Sequence, residues 1–401
     1  MNRNRASRNC SNFTATEPGN LPENKGDVCR PLAFFKMTEV AVIGCGVVGA
    51  MIAYELSHIS GLKITVLDRQ LPAQASTGAA LGVLMGAISQ KVKGRAWNLR
   101  RTSLQRYETL IAELHDRQLA VSYNRQGIVL LGDEIELPRW QNLAAIRQTQ
   151  GWPIELWEAA KLRSRCPQIQ PSDSVAAIYS PHDRQIDPTA LTLALVEAAK
   201  QRGVRFKFDR PALSIQSAEN HAQQVVTASE NLPIDWVVVA AGLGSTDLTR
   251  SLNTSLHTPL DIRPVLGQAL KVQLPEAIGD AAFQPVITRN DIHLVPLGNH
   301  QYWIGATVEL PNEAGTVAEA SPDRLQQVLN GAIEICPALA QAKILQTWSG
   351  SRPRPHNQPA PVIGLLPGYD NVLLATGHYR NGVLLAPATA ALVCEAIAGV
   401  P

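Results

Sequence analysis

The stretch Gly44-Cys45-Gly46-Val47-Val48-Gly49 decides the fold of this chain. It has the pattern GxGxxG and lies between a β-type run at residues 39–43 and a helical run at residues 50–57. A second β-type run at residues 63–67 follows and ends at Asp68. A strand, a glycine turn, a helix and a second strand within about 30 residues indicate a βαβ unit that binds a dinucleotide.

Each glycine of this motif has its own expected role. Gly44 permits the tight turn, Gly46 lets the backbone approach a pyrophosphate, and Gly49 lets the helix pack close to the strand. The helix then offers the N–H groups of its first turn, at Val47 and Val48, and its positive dipole end to the phosphates. The motif by itself does not choose between FAD and NAD.

Two further places after the motif supply candidate contacts. A carboxylate at Asp68 is expected to accept hydrogen bonds from an adenosine ribose and to repel a 2′-phosphate. The loop Ser76-Thr77-Gly78-Ala79-Ala80-Leu81-Gly82 consists mainly of small residues, so its amides and hydroxyls can reach a second face of a diphosphate. The candidates in these places are Asp68, Arg69, Ser76, Thr77, Ala79, Ala80 and Gly82.

A C-terminal segment favours a flavin. Residues 375–387 read ATGHYRNGVLLAP and join a predicted strand at 372–375 to a predicted final helix at about 382–398. A helix that begins near Gly382 would aim its positive dipole end at the pyrimidine edge of a flavin, where reduction places negative charge. The candidates here are Gly377, Tyr379, Arg380, Asn381, Gly382 and Val383.

Composition limits the class of protein. The 401 residues are 45% hydrophobic and 17% charged, with a net charge of +2, so more than one core is expected and no nucleic-acid footprint is visible. The sequence has no run of about 18 apolar residues, so no membrane-spanning helix is expected. The six cysteines have no metal-ligand spacing, which predicts no metal site and a reducing, cytoplasmic location.

The pattern of elements predicts an α/β plus α+β fold with two interleaved domains. Residues 1–36 lack periodicity and are predicted to be mostly disordered, with Met37 as an alternative start. The predicted dinucleotide-binding domain, Rossmann-like in fold, comprises 37–85, 180–250 and 345–401. The predicted substrate domain, with an antiparallel sheet, comprises 86–179 and 251–344. Further helices are predicted at 97–115, 140–150, 156–165, 188–202 and 322–336.

Taken in order, these motifs resemble the glycine oxidase and D-amino-acid oxidase-like (DAO) group of FAD-dependent oxidoreductases. The resemblance covers residues 37–400 and is carried by GCGVVG, STGAALG, the Asp187-Pro188 helix start, VVVAAG and GHYRNGVLLAPATA. It implies a flavoprotein with non-covalent FAD between the two domains. It also implies hydride transfer from a small amine or amino acid (glycine, sarcosine or a D-amino acid) to flavin N5, imine hydrolysis and reoxidation by O₂ to H₂O₂.

The resemblance also implies which residues meet the substrate. Arg352, in the stretch WSGSRP, matches the arginine that follows a Gly-containing turn and binds the substrate carboxylate, with Arg354 as the alternative. Arg380 matches the arginine of the HxRNG segment near the flavin. His293 stands where glycine oxidases place a tyrosine on a substrate-domain strand, and this departure puts glycine itself in doubt as the substrate.

Other functions stay open at this stage. The chain could be an amino-acid dehydrogenase that passes electrons to a quinone or carrier, or a flavin-binding assembly protein without activity. An NAD-dependent dehydrogenase is disfavoured by the C-terminal segment. The sequence does not determine the amine, its stereochemistry, the electron acceptor or whether the chain forms a homo-oligomer.

Overall fold

The computed structural model describes residues 37–170, 175–250, 252, 259–317, 319–356 and 358–399. The predicted disorder of residues 1–36 lies outside this part. The helices are α1 Val47–Leu56, α2 Gly94–Asp116, α3 Leu137–Thr149, α4 Ala159–Arg165, α5 Pro188–Gln201, α6 Ser245–Arg250, α7 Pro322–Ile335 and α8 Gly382–Ala398. The strands are β1 Thr38–Ile43, β2 Leu62–Leu67, β3 Val83–Leu84, β4 Tyr123–Asn124, β5 Ile128–Asp133, β6 Glu155–Trp157, β7 Val175–Ser180, β8 Arg184–Ile186, β9 Arg205–Lys207, β10 Ala212–Ala218, β11 His221–Thr227, β12 Asn231–Pro233, β13 Trp236–Val239, β14 Ile262–Gln273, β15 Val286–Arg289, β16 Ile292–Gly298, β17 Gln301–Gly305, β18 Lys343–Pro355, β19 Val362–Leu365 and β20 Val372–Thr376.

A six-stranded sheet contains the βαβ unit, in the order β19-β20-β13-β1-β2-β9. Strand β1 pairs in parallel with β2 and β13, and only β19 runs antiparallel to its neighbour. Val40 and Val42 on β1 pack into a core with α1, α2, α5 and α8, whereas Ala41 and Ile43 pack towards the small sheet β10-β11-β12. Both faces are covered, which explains the continuous apolar run of β1.

An eight-stranded sheet forms the second layer, in the order β18-β14-β17-β16-β15-β5-β7-β6. Its strands are antiparallel except for the parallel pair β15 and β5. Helix α7 packs on this sheet through Val328, Ala332 and Ile335. The combination of a largely parallel sheet with a large antiparallel one confirms the predicted fold class.

Some local predictions differ from the structure. The predicted helix at 156–165 was wrong at its start, because Glu155–Trp157 is strand β6 and Trp157 stacks on Tyr179 of the neighbouring β7 at 4.7 Å. The predicted turn in WSGSRP was also wrong, because these residues lie within β18 and pair with β14. The sheet β10-β11-β12 was not predicted.

Two elements pack outside the domain that the sequence predicted for them. Helix α2, expected beside the antiparallel sheet, packs against α1 and α8. Strand β18, which reaches into the C-terminal segment, is the edge of the eight-stranded sheet. The division of the chain into two domains stays a prediction.

Helix α8 contains a proline, Pro387, in its interior. Proline has no N–H, so the carbonyl of Val383, four residues earlier, loses its usual helical partner. The hydroxyl of Tyr107 on α2 donates to this carbonyl instead. One turn away on α2, Ser103 Oγ accepts a hydrogen bond of 3.1 Å from the N–H of Ala388. Helix α2 therefore satisfies backbone groups that the proline disturbs.

The segment Tyr379–Ala398, which contains α8, is the one helix in the described part that is long and apolar enough to cross a membrane by length and composition. Half of its most apolar stretch is buried within the fold. It packs against α1 and α2, so a place in the protein core accounts for its composition.

Candidate cofactor and substrate site

A cavity of about 450 Å³ lies where the two large sheets meet. One end is lined from the carboxyl ends of β1, β2, β13 and β20, the edge at which open α/β sheets bind ligands. The other end is lined from β14, β16 and β18. The sequence-predicted residues in the lining are Gly44, Gly46, Val47, Val48, Asp68, Arg69, Ser76, Thr77, Ala79, Ala80, Gly82, His293, Arg352, Gly377, Tyr379, Arg380, Gly382 and Val383. Gly49 and Asn381 lie outside it.

The outer glycines of the motif have geometric roles that the structure makes explicit. Gly44 has a φ of +105°, and a Cβ there would lie 2.5 Å from the carbonyl oxygen of Ala240 at the end of β13. A Cβ on Gly49 would lie 1.9 Å from the carbonyl oxygen of Gly44. Gly49 thus sets the approach of α1 to its strand, which is why it does not reach the cavity itself.

The start of α1 is partly satisfied by the loop at residues 76–82. The N–H of Val47 donates a buried hydrogen bond of 3.0 Å to Thr77 Oγ1. Because the first turn of a helix has no intrahelical acceptors, the neighbouring N–H of Val48, which also lines the cavity, belongs to the groups that can bind a phosphate. Thr77 therefore holds the N-terminal end of α1 in place.

The same loop is attached to strand β18 of the other sheet. Ser76 Oγ donates to the carbonyl of Ser351 at 2.6 Å, and Trp348 Nε1 donates to the carbonyl of Ala79 at 3.1 Å. A Cβ on Gly350 would lie only 2.3 Å from that of Ala79, so the loop and the strand are in direct contact. These contacts join the dinucleotide end of the cavity to the strand that carries Arg352.

Asp68 lies half-buried at the end of β2. Its Oδ2 accepts from the N–H of Cys45 at 2.5 Å and its Oδ1 accepts from the N–H of Gln70 at 2.9 Å. Each carboxylate oxygen can accept a second hydrogen bond, so both remain available to a ribose. Beyond Asp68 the cavity is lined by Leu71 and Leu213, which are 54% and 58% exposed. Apolar side chains exposed there suit the face of an adenine ring.

The loop before α8 is fixed by His378. Its Nε2 lies 2.9 Å from Thr389 Oγ1, and Thr389 itself donates its only hydroxyl hydrogen to the carbonyl of Leu385. Nε2 is therefore the donor in this pair. Burial lowers the pKa of His378 to about 4, so the ring is neutral at neutral pH. These contacts assign His378 a structural role, and α8 begins at Gly382 as expected.

Arg352 lies half-buried at the end of the cavity that is lined from β14, β16 and β18. Its Nη1 donates to the carbonyls of Leu266 and Thr307, both at 3.1 Å. Within the described residues no carboxylate lies within ion-pair distance of its guanidinium. Burial, and after it the positive charge of Arg380, lower the pKa of Arg352, but a guanidinium stays protonated. Arg352 is thus a positioned cation with donors to spare.

The alternative arginine, Arg354, occupies a different environment. Its side chain is exposed, does not line the cavity, and lies over the ring of Tyr379 at 5.4 Å from the centroid. Only Arg352 of the two is brought into the cavity.

Arg380 is paired with an acidic residue that the sequence did not single out. Its Nη2 donates to Asp291 Oδ1 at 2.7 Å and its Nη1 to Asp291 Oδ2 at 3.2 Å. The hydrogen bonds from Arg380 are the main cause that holds the pKa of Asp291 below its usual range. Both residues line the cavity, and no local pattern indicates that they meet across 89 positions of the chain.

His293 on β16 lines the same end of the cavity. Its Nδ1 lies 2.9 Å from Thr288 Oγ1 on β15. The residue is half-buried, and its desolvation, followed by the charge of Arg380, lowers its pKa to about 4. The residue that departs from the glycine oxidase pattern is therefore a neutral, hydrogen-bonding group at neutral pH.

A family model described as FAD dependent oxidoreductase matches residues 39–396, nearly the whole described part of the chain. The chain belongs to this family. Among its relatives, the bifunctional protein ThiO/ThiG of Trichormus variabilis is 31% identical over 370 residues, which cover 90% of this chain and 52% of that protein. The chain therefore spans about half the length of this type of relative.

Other members of the FAD dependent oxidoreductase family match over almost their full length. The glycine oxidase of Bacillus licheniformis is 28% identical, and the alignment covers 91% of this chain and 94% of that protein. The crystal structure of glycine oxidase from Bacillus cereus superimposes with a TM-score of 0.79 at 26% identity, covering 91% of this chain and 96% of that one. The fold is thus glycine oxidase-like.

FAD is the cofactor of this family, and the cavity fits it. Asp68 retains acceptor capacity for a ribose, the first turn of α1 lines the cavity, and the exposed Leu71 and Leu213 in the lining offer apolar surface that suits an adenine ring. At the opposite end, Gly382 places the start of α8 in the lining.

Proposed function

We propose that this FAD dependent oxidoreductase oxidises the carbon–nitrogen bond of a small amino acid or amine. FAD bound without a covalent link would supply the acceptor, at N5, for a hydride from the substrate Cα, with O₂ as the final oxidant, which is reduced to H₂O₂. The imine product hydrolyses in water. The observation that carries this proposal is the guanidinium of Arg352, which lies in the cavity and whose hydrogen-bond partners, among the described residues, are backbone carbonyls.

Arg352 is suited to hold the carboxylate of such a substrate. Two carbonyls, those of Leu266 and Thr307, engage Nη1 and fix the plane of the guanidinium. A guanidinium has five N–H donors in a fork that matches the two oxygens of a carboxylate. Anchoring the carboxylate at one point would orient the substrate Cα relative to the cofactor.

The groups around the substrate amine are suited to a reaction without a general base. A hydride leaves Cα readily only when the amine is unprotonated. The charge of Arg352 disfavours a second cation beside it, and the carboxylate of Asp291 is already paired with Arg380, so a bound amine is favoured in its neutral form. The protein then needs to orient a neutral amine and to exclude water, which requires no catalytic triad or carboxylate pair.

The first turn of α8 places the positive end of a helix dipole at the cavity wall, where it would stabilise negative charge on the cofactor. Its N-cap residue, Asn381, makes no side-chain capping bond, so no capping side chain covers the positive end of the helix dipole. Both residues line the cavity. Positive potential at this wall favours any negative charge that develops next to it.

An anaerobic titration tests the proposal. The FAD-loaded protein is mixed with glycine, sarcosine, and D- and L-amino acids in turn, and the visible absorption of the oxidised flavin is followed. We expect one of these substrates to bleach the flavin, and air to restore it with release of H₂O₂. Restoration by a quinone but not by air would assign the dehydrogenase function. A flavin that none of the amines bleaches would overturn the proposal.

A further inference from the structure

Asp291 occupies a backbone position that ordinarily favours glycine. Asn290 and Asp291 form the two-residue turn between β15 and β16, with φ values of +49° and +64°. A hairpin turn with two positive φ angles is of type I′, and its usual sequence is Asn-Gly. Glycine at this position would satisfy the turn, so a requirement of the hairpin alone does not account for the aspartate.

The side chain of Asp291 contacts the cavity wall opposite. Both of its oxygens accept hydrogen bonds from Arg380, which lies two residues before the start of α8. The pair lies at the mouth of the cavity, where the side chain of Asp291 is 60% exposed and that of Arg380 is 35% exposed. The hairpin of the antiparallel sheet thus reaches across the substrate end to the other wall.

The ion pair of Asp291 with Arg380 determines how many uncompensated positive charges are available to a bound substrate. The charged side chains that line the substrate end are Asp291, Arg352 and Arg380. His293 beside them is neutral at neutral pH. Because the carboxylate of Asp291 neutralises the charge of Arg380, Arg352 is left as the cation at this end of the described cavity that has no carboxylate partner.

We propose that Asp291 is a specificity-determining residue that restricts this site to substrates with one carboxylate. This inference rests on the proposed function, because it takes Arg352 as the anchor for the first carboxylate. A second carboxylate would find Arg380 already paired and would approach the negative charge of Asp291. Acidic amino acids and other dicarboxylates are therefore excluded, although two arginines line the cavity.

A pair of inert ligands of equal size tests the inference without any turnover. Malonate carries two carboxylates, and malonamate replaces one of them with an uncharged amide. Their dissociation constants are measured by calorimetry on the FAD-loaded wild-type protein and on the Asp291→Asn and Asp291→Gly variants. Asp291→Gly gives the turn its preferred residue, so a failure to fold cannot account for its behaviour.

We expect the wild-type protein to bind malonate no more tightly than malonamate. In both variants the freed Arg380 should bind the second carboxylate, so that malonate binds about tenfold more tightly than in the wild type. Malonamate should change by less than about threefold, since an amide gains no charge-assisted pair. If both ligands gain by the same factor, or if malonate does not bind the Asp291→Asn variant, the inference is overturned.

A matched control lies at the next hairpin of the same sheet. Asn299 and His300 form the turn between β16 and β17, also with positive φ angles of +49° and +59°. His300 is exposed and does not line the cavity, so His300→Gly should leave both dissociation constants unchanged. A protein that shows the expected binding pattern but whose flavin no amine reduces would refute the proposed function while supporting the role of Asp291.

Discussion

The backbone of Gly267 lies directly against the guanidinium of Arg352, so that a Cβ on Gly267 would come within 2.3 Å of both Nη1 and Nη2. Gly267→Ala must therefore displace the arginine. Since a hydrogen bond to a charged group contributes about 1.5–3 kcal/mol, we expect carboxylate binding to weaken by about 10–100-fold. The measurement is the dissociation constant of malonamate together with the FAD content, which should stay at the wild-type level. Unchanged carboxylate binding would show that the cavity tolerates the methyl group.

The two neighbouring arginines should differ sharply in their contribution to catalysis. Arg352→Met removes the cation in the cavity, and we expect the kcat/KM for the reducing amino acid to fall by about 100-fold or more. Arg354→Met changes an exposed side chain outside the cavity and should alter kcat/KM by less than about threefold. Equal losses in the two variants would refute the assignment of Arg352 as the anchor.

Cofactor affinity should depend on the hydroxyl of Thr77. Thr77→Val keeps the shape of the side chain but leaves the buried N–H of Val47 without its acceptor. An unsatisfied buried N–H costs about 1–3 kcal/mol, so we expect the dissociation constant of FAD to rise about tenfold. Titration of the apoprotein with FAD measures it. Thr77→Ser keeps the oxygen and is the matched control, with affinity within about threefold of the wild type. Equal losses in both variants would point to packing as the cause.

Two histidines, the buried His378 and the half-buried His293, make stability sensitive to acid. Burial lowers the pKa of both His293 and His378 from 6.5 to about 4. Between these values the unfolded chain binds protons that the folded chain excludes, so stability falls as the pH falls from about 6.5 towards 4. His378→Gln should reduce the slope of the free energy of unfolding against pH, between about pH 4 and 6.5, by up to about 1.4 kcal/mol per pH unit. Denaturant unfolding at about pH 7 and pH 5 measures it, and an unchanged slope would contradict the buried, neutral state of His378.

Features that depend on short spacings could be predicted from the sequence. The GxGxxG motif, the carboxylate at the end of β2 and the start of α8 at Gly382 each lie within one local unit, and the structure places them where expected. Asp187 also caps α5 as expected, accepting from the N–H groups of Thr189 and Ala190. In these cases the backbone geometry follows from neighbouring residues, which is why pattern and structure agree.

Features that depend on distant contacts could not be predicted in this way. The pairing of Asp291 with Arg380, the proximity of Gly267 to Arg352 and the exposed Leu213 all arise where separate segments meet. The sequence placed His293 on a strand, but its neutrality follows from burial and from the charge of Arg380. The stretch around Arg352 looked like a turn because of Gly350, whereas the small residue is needed for contact with Ala79.

The proline in α8 makes that helix dependent on a particular partner. A copy of α8 moved into a related protein would bring with it the unsatisfied carbonyl of Val383, which here is met by Tyr107. The recipient would need a hydroxyl at the same place on its own α2, and a second one to match Ser103. The two helices lie more than 260 residues apart in the chain, but they have to be exchanged together. A chimera that exchanges only the C-terminal segment would leave backbone groups of α8 without partners and would disturb the part of the cavity lining formed by Gly382 and Val383.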